Sequence, residues 1–330
     1  MRAIVPEIRR IGKEDWGRDC GFFSNFPRDT REGVRHSPAT MGNPKKDISP
    51  KTHFRGYAIP GDPVPGDIEH PELVIEEGET LDVLCGHFRI FQLKKGHRYS
   101  TDDILTAWYG TSWCPTARSI LDLGSGIGTV AMTAAWRLPK VPVVTIEAQE
   151  ESIRLARKSV RWNGLGDRFE IRQGDLRDKS MLKPEEKFDL VFGSPPYFPP
   201  GTGVEGDHPQ KVACRFEVRG TIADYCECAA AHLDTGGVFA CVFPVNPPEQ
   251  QERVREGANQ AGLTIVRQRS IVLRDPDPAL LAVFIMMREA DLPESMHGQT
   301  WEEPPLVIRC KDGSIHPEYA AVKLSFGFPP

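Results

Sequence analysis

The chain has 330 residues, and 41 Lys+Arg against 46 Asp+Glu give a formal charge of −5, which excludes a protein that coats nucleic acid through bulk positive charge. With 39% hydrophobic and 26% charged residues the composition is that of an ordinary folded protein. The longest apolar run, Leu280 to Met287, has the length of a buried strand and not of a membrane span.

Eight cysteines, none spaced Cys-x-x-Cys, are too sparse for a disulfide scaffold or a zinc site. Reduced structural thiols, no metal, no membrane contact and a cytoplasmic monomer are therefore expected.

Residues 1 to about 70 carry recurrent Gly and Pro without a lasting apolar period, and read as a disordered or extended tail. No hydrophobic segment near Met1 suggests a secretory signal, and Glu7, Glu14, Asp15 and Asp19 fit poorly with an organellar transit peptide. Asp62 to Asp82 holds eight acids and no Lys or Arg. Residues 71–117 are expected to form an amino-terminal hairpin and helix: runs at Leu81 to Cys85 and Phe88 to Leu93 flank Gly86, and a helix capped by Thr101 or Asp102 runs to about Tyr109.

From residue 118 strands and helices alternate. Strands are predicted at Ser119 to Leu123, Val141 to Ile146, Arg168 to Gln173, Phe188 to Phe192, Gly237 to Phe243, Leu263 to Leu273 and Leu280 to Met287. Helices are predicted at Gly128 to Arg137, Glu150 to Trp162, Thr221 to Leu233 and Pro248 to Ala261. This predicts one α/β domain over 118–330, with a seven-stranded, mostly parallel sheet, an antiparallel terminal strand and the β-hairpin in front.

Two segments carry chemistry. Asp122, Gly124, Gly126 and Gly128 lie at a strand-to-helix turn with Gly-x-Gly-x-Gly spacing, open to close approach by a ligand. Asp122 suits a cationic amino-acid moiety better than a pyrophosphate. Glu147, 23 residues after Gly124, can accept from ribose hydroxyls, and Asp175 can accept from an adenine amine. Together these describe an S-adenosylmethionine site; taken singly, each reads equally as a turn glycine or a solvated acid.

The second segment is Ser194-Pro195-Pro196-Tyr197. The Ser194 side chain and the Pro195 carbonyl can converge on an exocyclic amine, Pro196 stiffens the chain, and Tyr197 offers a stacking face for a base. Phe198, Lys211, Arg215 and Arg219, in the Gly- and Pro-rich stretch that follows, are candidate substrate-binding residues on a mobile flap. Arg154, Arg157, Lys158 and Arg161, with Lys94, Lys95 and Arg98 elsewhere, make a basic stripe that reads either as an RNA contact or as a solvated helix face.

From about residue 79 the chain resembles the tRNA adenine-N6 methyltransferases that modify the adenine beside the anticodon of a bacterial valine tRNA. More broadly, it resembles Rossmann-like class I amino-methyltransferases with an Asn/Asp/Ser-Pro-Pro-Tyr/Phe motif. Gln92 to Asp102, Ala213 to Arg219, Gly236-Gly237 and Leu306 to Ala320 are further points of similarity. The resemblance implies S-adenosylmethionine as cofactor, RNA (tRNA foremost) as substrate, and Arg98, Tyr99 and Asp102 beside the cofactor. The family usually has Asn where Ser194 stands, so protein-glutamine or cytosine-N4 methylation, and a cofactor-binding scaffold without catalysis, remain open alternatives.

Overall fold

The alternation closes into an eight-stranded sheet in a computed structural model that describes residues 52–54, 56–199, 201 and 208–328. A short hairpin, β1 (His53–Phe54) and β2 (Tyr57–Ala58), and one turn of helix, α1 (Gly66–Glu69), precede a longer hairpin of β3 (Glu79–Cys85) and β4 (Phe88–Leu93). Next come α2 (Thr101–Trp113), β5 (Ile120–Leu123), α3 (Thr129–Arg137), β6 (Val143–Glu147), α4 (Glu150–Trp162), β7 (Phe169–Gln173) and β8 (Phe188–Gly193). The chain continues through α5 (Pro209–Arg215), α6 (Ile222–His232), β9 (Leu233–Pro244), α7 (Pro248–Gln260), β10 (Leu263–Arg274), β11 (Leu281–Arg288), β12 (Trp301–Arg309) and α8 (Pro317–Leu324).

The strand order is β12-β10-β11-β9-β8-β5-β6-β7. β5 to β9 pair in parallel, whereas β11 lies antiparallel between β9 and β10. The fold is thus the expected Rossmann-like α/β class, with two refinements. The antiparallel strand is interior, not terminal, and β12 adds an eighth strand parallel to β10. β12 contains Pro304 and Pro305, which cannot donate to a ladder and mask a strand by pattern. The sheet edge accommodates them.

After β5, β6 and β7 the chain crosses back to place β8 on the other side of β5. Ligands of open parallel sheets bind at such a reversal, beyond the carboxyl ends of the strands. β5 is buried at every position, and Leu121, Leu123, Val191, Phe239, Phe243 and Phe284 form the core beneath that edge. Burial on both faces explains the near-continuous apolar runs of β5, β8 and β9.

The β3–β4 hairpin docks on α4. Phe91 N–H donates to Ser159 Oγ at 2.9 Å, and Asn163 accepts from Arg89 N–H and donates to Arg89 O. This docking corrects the reading of the basic stripe. Lys158 is 8% exposed and bonds Glu79 at 2.7 Å and Glu76 at 3.1 Å; Arg154 pairs with Glu79 and Glu151, and Arg161 with Glu72. Glu72, Glu76 and Glu79 pair with three of the four helix cations; Arg157 is exposed, and so is Arg161 in its surface pair with Glu72. Residues 52–70, expected to belong to the tail, hold β1, β2 and α1. Gly61 and Gly66 pass the indoles of Trp136 and Trp162 at ordinary contact distance, and both take a positive φ that favours glycine. Residues 1–51 lie outside the described residues. Among the described residues no helix is long and apolar enough to cross a membrane, and no group of His, Cys, Asp and Glu is set to hold a metal ion.

Candidate active site

β5 ends at Leu123, and the chain turns sharply into α3 through Gly124 and Gly126, with φ of +61° and +56°. That left-handed backbone disfavours any residue with a Cβ. The space around the two glycines differs. A Cβ on Gly124 would meet the hydroxyl of buried Tyr225 at 2.0 Å, whereas a Cβ on Gly126 would meet nothing within 4 Å. Gly126 therefore forms an open cradle in a cleft whose empty space, including its mouth, is about 800 Å³. Gly128 caps α3 and does not line the cleft.

Three carboxylates surround the glycine turn. Asp122, 1% exposed, accepts from Ala131 N–H at 3.1 Å; burial pushes its carboxyl up to about 7, and the Glu147 charge adds to the shift. Glu147, at the end of β6, accepts from Gly126 N–H at 2.8 Å and from Gln149 N–H at 2.7 Å. A carboxylate offers about four lone-pair positions, so Glu147 is fixed in place with acceptor capacity left over. Burial raises its carboxyl as well. Asp175, beyond β7, also lines the cleft, but Arg177 grips both of its oxygens at 2.6 to 2.9 Å and lowers its carboxyl.

Ser194 and Pro196, at the end of β8, line the same cleft, and Pro195 between them is buried. Ser194 Oγ is buried without a hydrogen-bond partner, as is Ser125 Oγ on the glycine turn. Buried polar atoms normally find partners, so two orphans facing one cleft mark places for ligand donors or acceptors. Tyr197 follows directly on Pro196 but stands outside the cofactor cleft itself. Its hydroxyl donates to Asp102 Oδ2 at 2.7 Å, and its ring packs edge-on against Phe243 with centroids 5.7 Å apart.

Three residues expected beside the cofactor have their side chains engaged elsewhere. Arg98 turns away to Asp82 and Thr80, each at 2.9 Å, because those hairpin groups give its guanidinium fixed acceptors. The Tyr99 phenol is buried and donates to Val83 O at 2.6 Å. Asp102 engages Tyr197 and Ser100, and it is the neighbouring Asp103 that lines the cleft. Asp103 Oδ2 also accepts from Ser100 N–H at 2.9 Å, and burial, with Asp102 and Asp122 nearby, raises its carboxyl well above the usual range. Asp103 was foreseeable as a cap acid, since it stands three residues beyond Ser100.

The stretch after Tyr197 is more ordered than a single loop. Residues 200 and 202–207 lie outside the described residues, as does the side chain of Lys211. Beyond them α5 packs down through Gln210, which accepts from His97 N–H at 2.9 Å and donates to Ser152 Oγ at 3.1 Å. The Arg215 carbonyl then accepts from both Tyr197 N–H and Phe198 N–H, and Phe198 bridges to Phe216. Arg219 reaches the cleft wall, where its charge acts on Glu147 and Asp175. His97, Gln149, Cys214 and Tyr225 line the cleft too. They arrive from four separate places in the chain: His97 and Gln149 from connections, Cys214 from α5 and Tyr225 from α6.

Residues 111–252 match the model of the methyltransferase small domain. A protein from Yersinia pestis named tRNA1(Val) (adenine(37)-N6)-methyltransferase is 27% identical over 241 residues, covering 69% of this chain and 86% of its own. A protein of the same name from Erwinia tasmaniensis is 26% identical over 185 residues, covering 55% and 71%. The fold is shared with a crystal structure from Agrobacterium tumefaciens described as a predicted O-methyltransferase, at a TM-score of 0.52 and 17% identity over 69% of this chain and 98% of that one. The chain therefore resembles the tRNA adenine-N6 methyltransferases, and the match implies S-adenosylmethionine as its cofactor. The site suits that molecule. Asp103 and Asp122, once ionised, can offer negative charge to its cationic end, Glu147 offers acceptors to hydroxyls, and Gly126 leaves room for close approach.

Proposed function

We propose that the protein transfers a methyl group from S-adenosylmethionine to the exocyclic amine of an adenine in RNA, with tRNA as the substrate. One observation carries this reading: the glycine turn with Glu147 and the Ser194-Pro196 segment face a single cleft at the reversal of the sheet. A methyl-donor site and an amine-gripping motif can thus act on one pair of reacting atoms. The names of the two relatives support adenine in tRNA as the substrate.

An adenine amine is a weak nucleophile because its lone pair is delocalised into the ring. Acceptors on its two hydrogens favour tetrahedral nitrogen, which is stabilisation realised in the transition state and not in the ground state. Ser194 Oγ and the Pro195 carbonyl are the acceptors. When bound, the cofactor supplies an electrophilic methyl: the N–C bond forms as the S–C bond breaks, the electron pair stays on sulfur, and the amine proton leaves to water. Alignment in the cleft supplies most of the acceleration. Arg219 on the cleft wall is exposed, as are Lys94 and Lys95, which precede the cleft residue His97 in the chain; these cations are available to phosphates.

Purified protein with methyl-labelled cofactor and bulk tRNA is expected to yield N6-methyladenosine on nucleoside analysis. N4-methylcytidine, methylated protein glutamine or binding without turnover would replace this reading with one of its rivals. Ser194→Ala is expected to keep cofactor affinity within about twofold and to lower kcat roughly tenfold, since one of two acceptors remains. An unchanged kcat removes Ser194 from the catalytic residues.

A further inference from the structure

We propose that Asp102 is a positioning residue that locks the Tyr197 ring as a fixed wall of the base-binding site; the inference rests on the reading that Tyr197 stacks on the target base. The Tyr197 backbone is already held at both ends. Its N–H donates to Arg215 O at 3.1 Å, and its carbonyl accepts from Gln250 Nε2 at 3.4 Å. Such bonds fix the Cα but leave the side-chain torsions free to rock the ring. The hydroxyl bond to Asp102 Oδ2, at 2.7 Å, pins the far end of the side chain. A hydrogen bond to a carboxylate is the stronger kind, and this one joins residues 95 positions apart.

Asp102 is itself immobilised. It lies in the first turn of α2, its carbonyl accepts from Thr106 Oγ1 at 2.8 Å, and Ser100 Oγ bonds its other carboxylate oxygen. The ring can then retreat little, because Phe243 stands edge-on to it at 83° and Phe198 at 71°. Adjacent acids divide the work. Asp103 faces the cofactor cleft, while Asp102 reaches the motif that receives the substrate. This division accounts for an acid that the resemblance places beside the cofactor yet whose carboxylate is spent on a tyrosine.

The test compares Asp102→Ala, Asp102→Asn, Tyr197→Phe and the Ala/Phe double variant in the full chain. Expected are a fall in kcat on tRNA on the order of tenfold for Asp102→Ala and Tyr197→Phe, with KM for tRNA and cofactor affinity unchanged within about twofold. The double variant should be no slower than either single one, and Asp102→Asn, whose amide oxygen still accepts, should regain most of the rate. Multiplied losses in the double variant, or a cofactor affinity weakened by Asp102→Ala alone, overturn the proposal. Thermal melting of the same four variants reads the tether without any substrate. Melting-temperature losses for the two single changes that do not add in the double variant support it, and additive losses overturn it. Absent methyl transfer by the unchanged protein counts against the adenine reading and leaves the melting result standing on its own.

Discussion

Gly124→Ala is expected to unfold the domain about 10 °C earlier and to abolish measurable cofactor binding, whereas Gly126→Ala is expected to abolish binding with little thermal effect. The contrast follows from what each added methyl meets. At both positions the positive φ costs an alanine roughly 1 to 2 kcal/mol. At Gly124 the methyl also lands 2.0 Å from the hydroxyl of Tyr225, a buried ring that packs against Gly193 as well and must shift toward the cleft to make room. Overpacking of this kind costs a further 1 to 3 kcal/mol or so. At Gly126 the methyl enters open cleft, where the only thing it excludes is ligand. A misplacement of about 1 Å there is worth on the order of a hundredfold in binding or rate. Calorimetric titration with S-adenosylmethionine beside thermal melting separates the two outcomes. Adding Tyr225→Phe to Gly124→Ala should restore only part of the stability, because the ring carbon Cζ still lies 3.0 Å from the new methyl. Tight cofactor binding by Gly126→Ala would mean that the ligand does not approach the backbone at this turn.

The parts of the site legible in the sequence are those whose chemistry is local. Gly124 and Gly126 are readable because left-handed backbone demands glycine at a strand-to-helix turn, and Ser194 to Tyr197 because the motif follows a strand that is apolar but for Asp189. Glu147 and Asp175 were placed by counting to the ends of the next two strands, and both line the cleft. Arg177 was not foreseen. It occupies both oxygens of Asp175, and an adenine amine would have to share that carboxylate with it. What the sequence leaves open depends on partners distant in the chain. The α4 cations read either as an RNA contact or as a solvated face, and Glu72, Glu76 and Glu79, some 80 residues upstream, take three of them. Arg98 and Tyr99 look like cofactor ligands until β3 supplies Asp82 and Val83. β12 was hidden by its two prolines, which an edge strand tolerates and an interior one would not.

Affinity for S-adenosylmethionine is expected to weaken about tenfold between pH 8 and pH 6, and Asp122→Asn to weaken it roughly a hundredfold at pH 8. The sign follows from burial. Asp122 sits in the wall of the cleft with its carboxyl pushed up to about 7, while Asp103 is held well above the carboxylate range and Glu147 is raised as well. Among the described residues no lysine or arginine bonds Asp122; Ala131 N–H donates to it, and Arg219 is the one Lys or Arg among the described residues lining the cleft. A carboxyl raised by folding stabilises the protein while it is protonated, a contribution present below about pH 4 and lost as the pH climbs through 7. A cationic ligand has the opposite preference and binds the ionised form. Binding must therefore strip a proton from Asp122 at pH 6, where about nine molecules in ten hold it, and from only about one in ten at pH 8. Titrations in buffers of differing ionisation enthalpy should show nearly one proton released at pH 6 and few at pH 8, with Asp103 able to steepen the slope. Asp122→Asn should flatten the Asp122 part of that slope and, in the empty protein, reduce the loss of thermal stability between pH 5 and pH 8. A wild-type affinity that stays level from pH 6 to pH 8, with no proton released, would show that the cationic end of the cofactor binds away from Asp122.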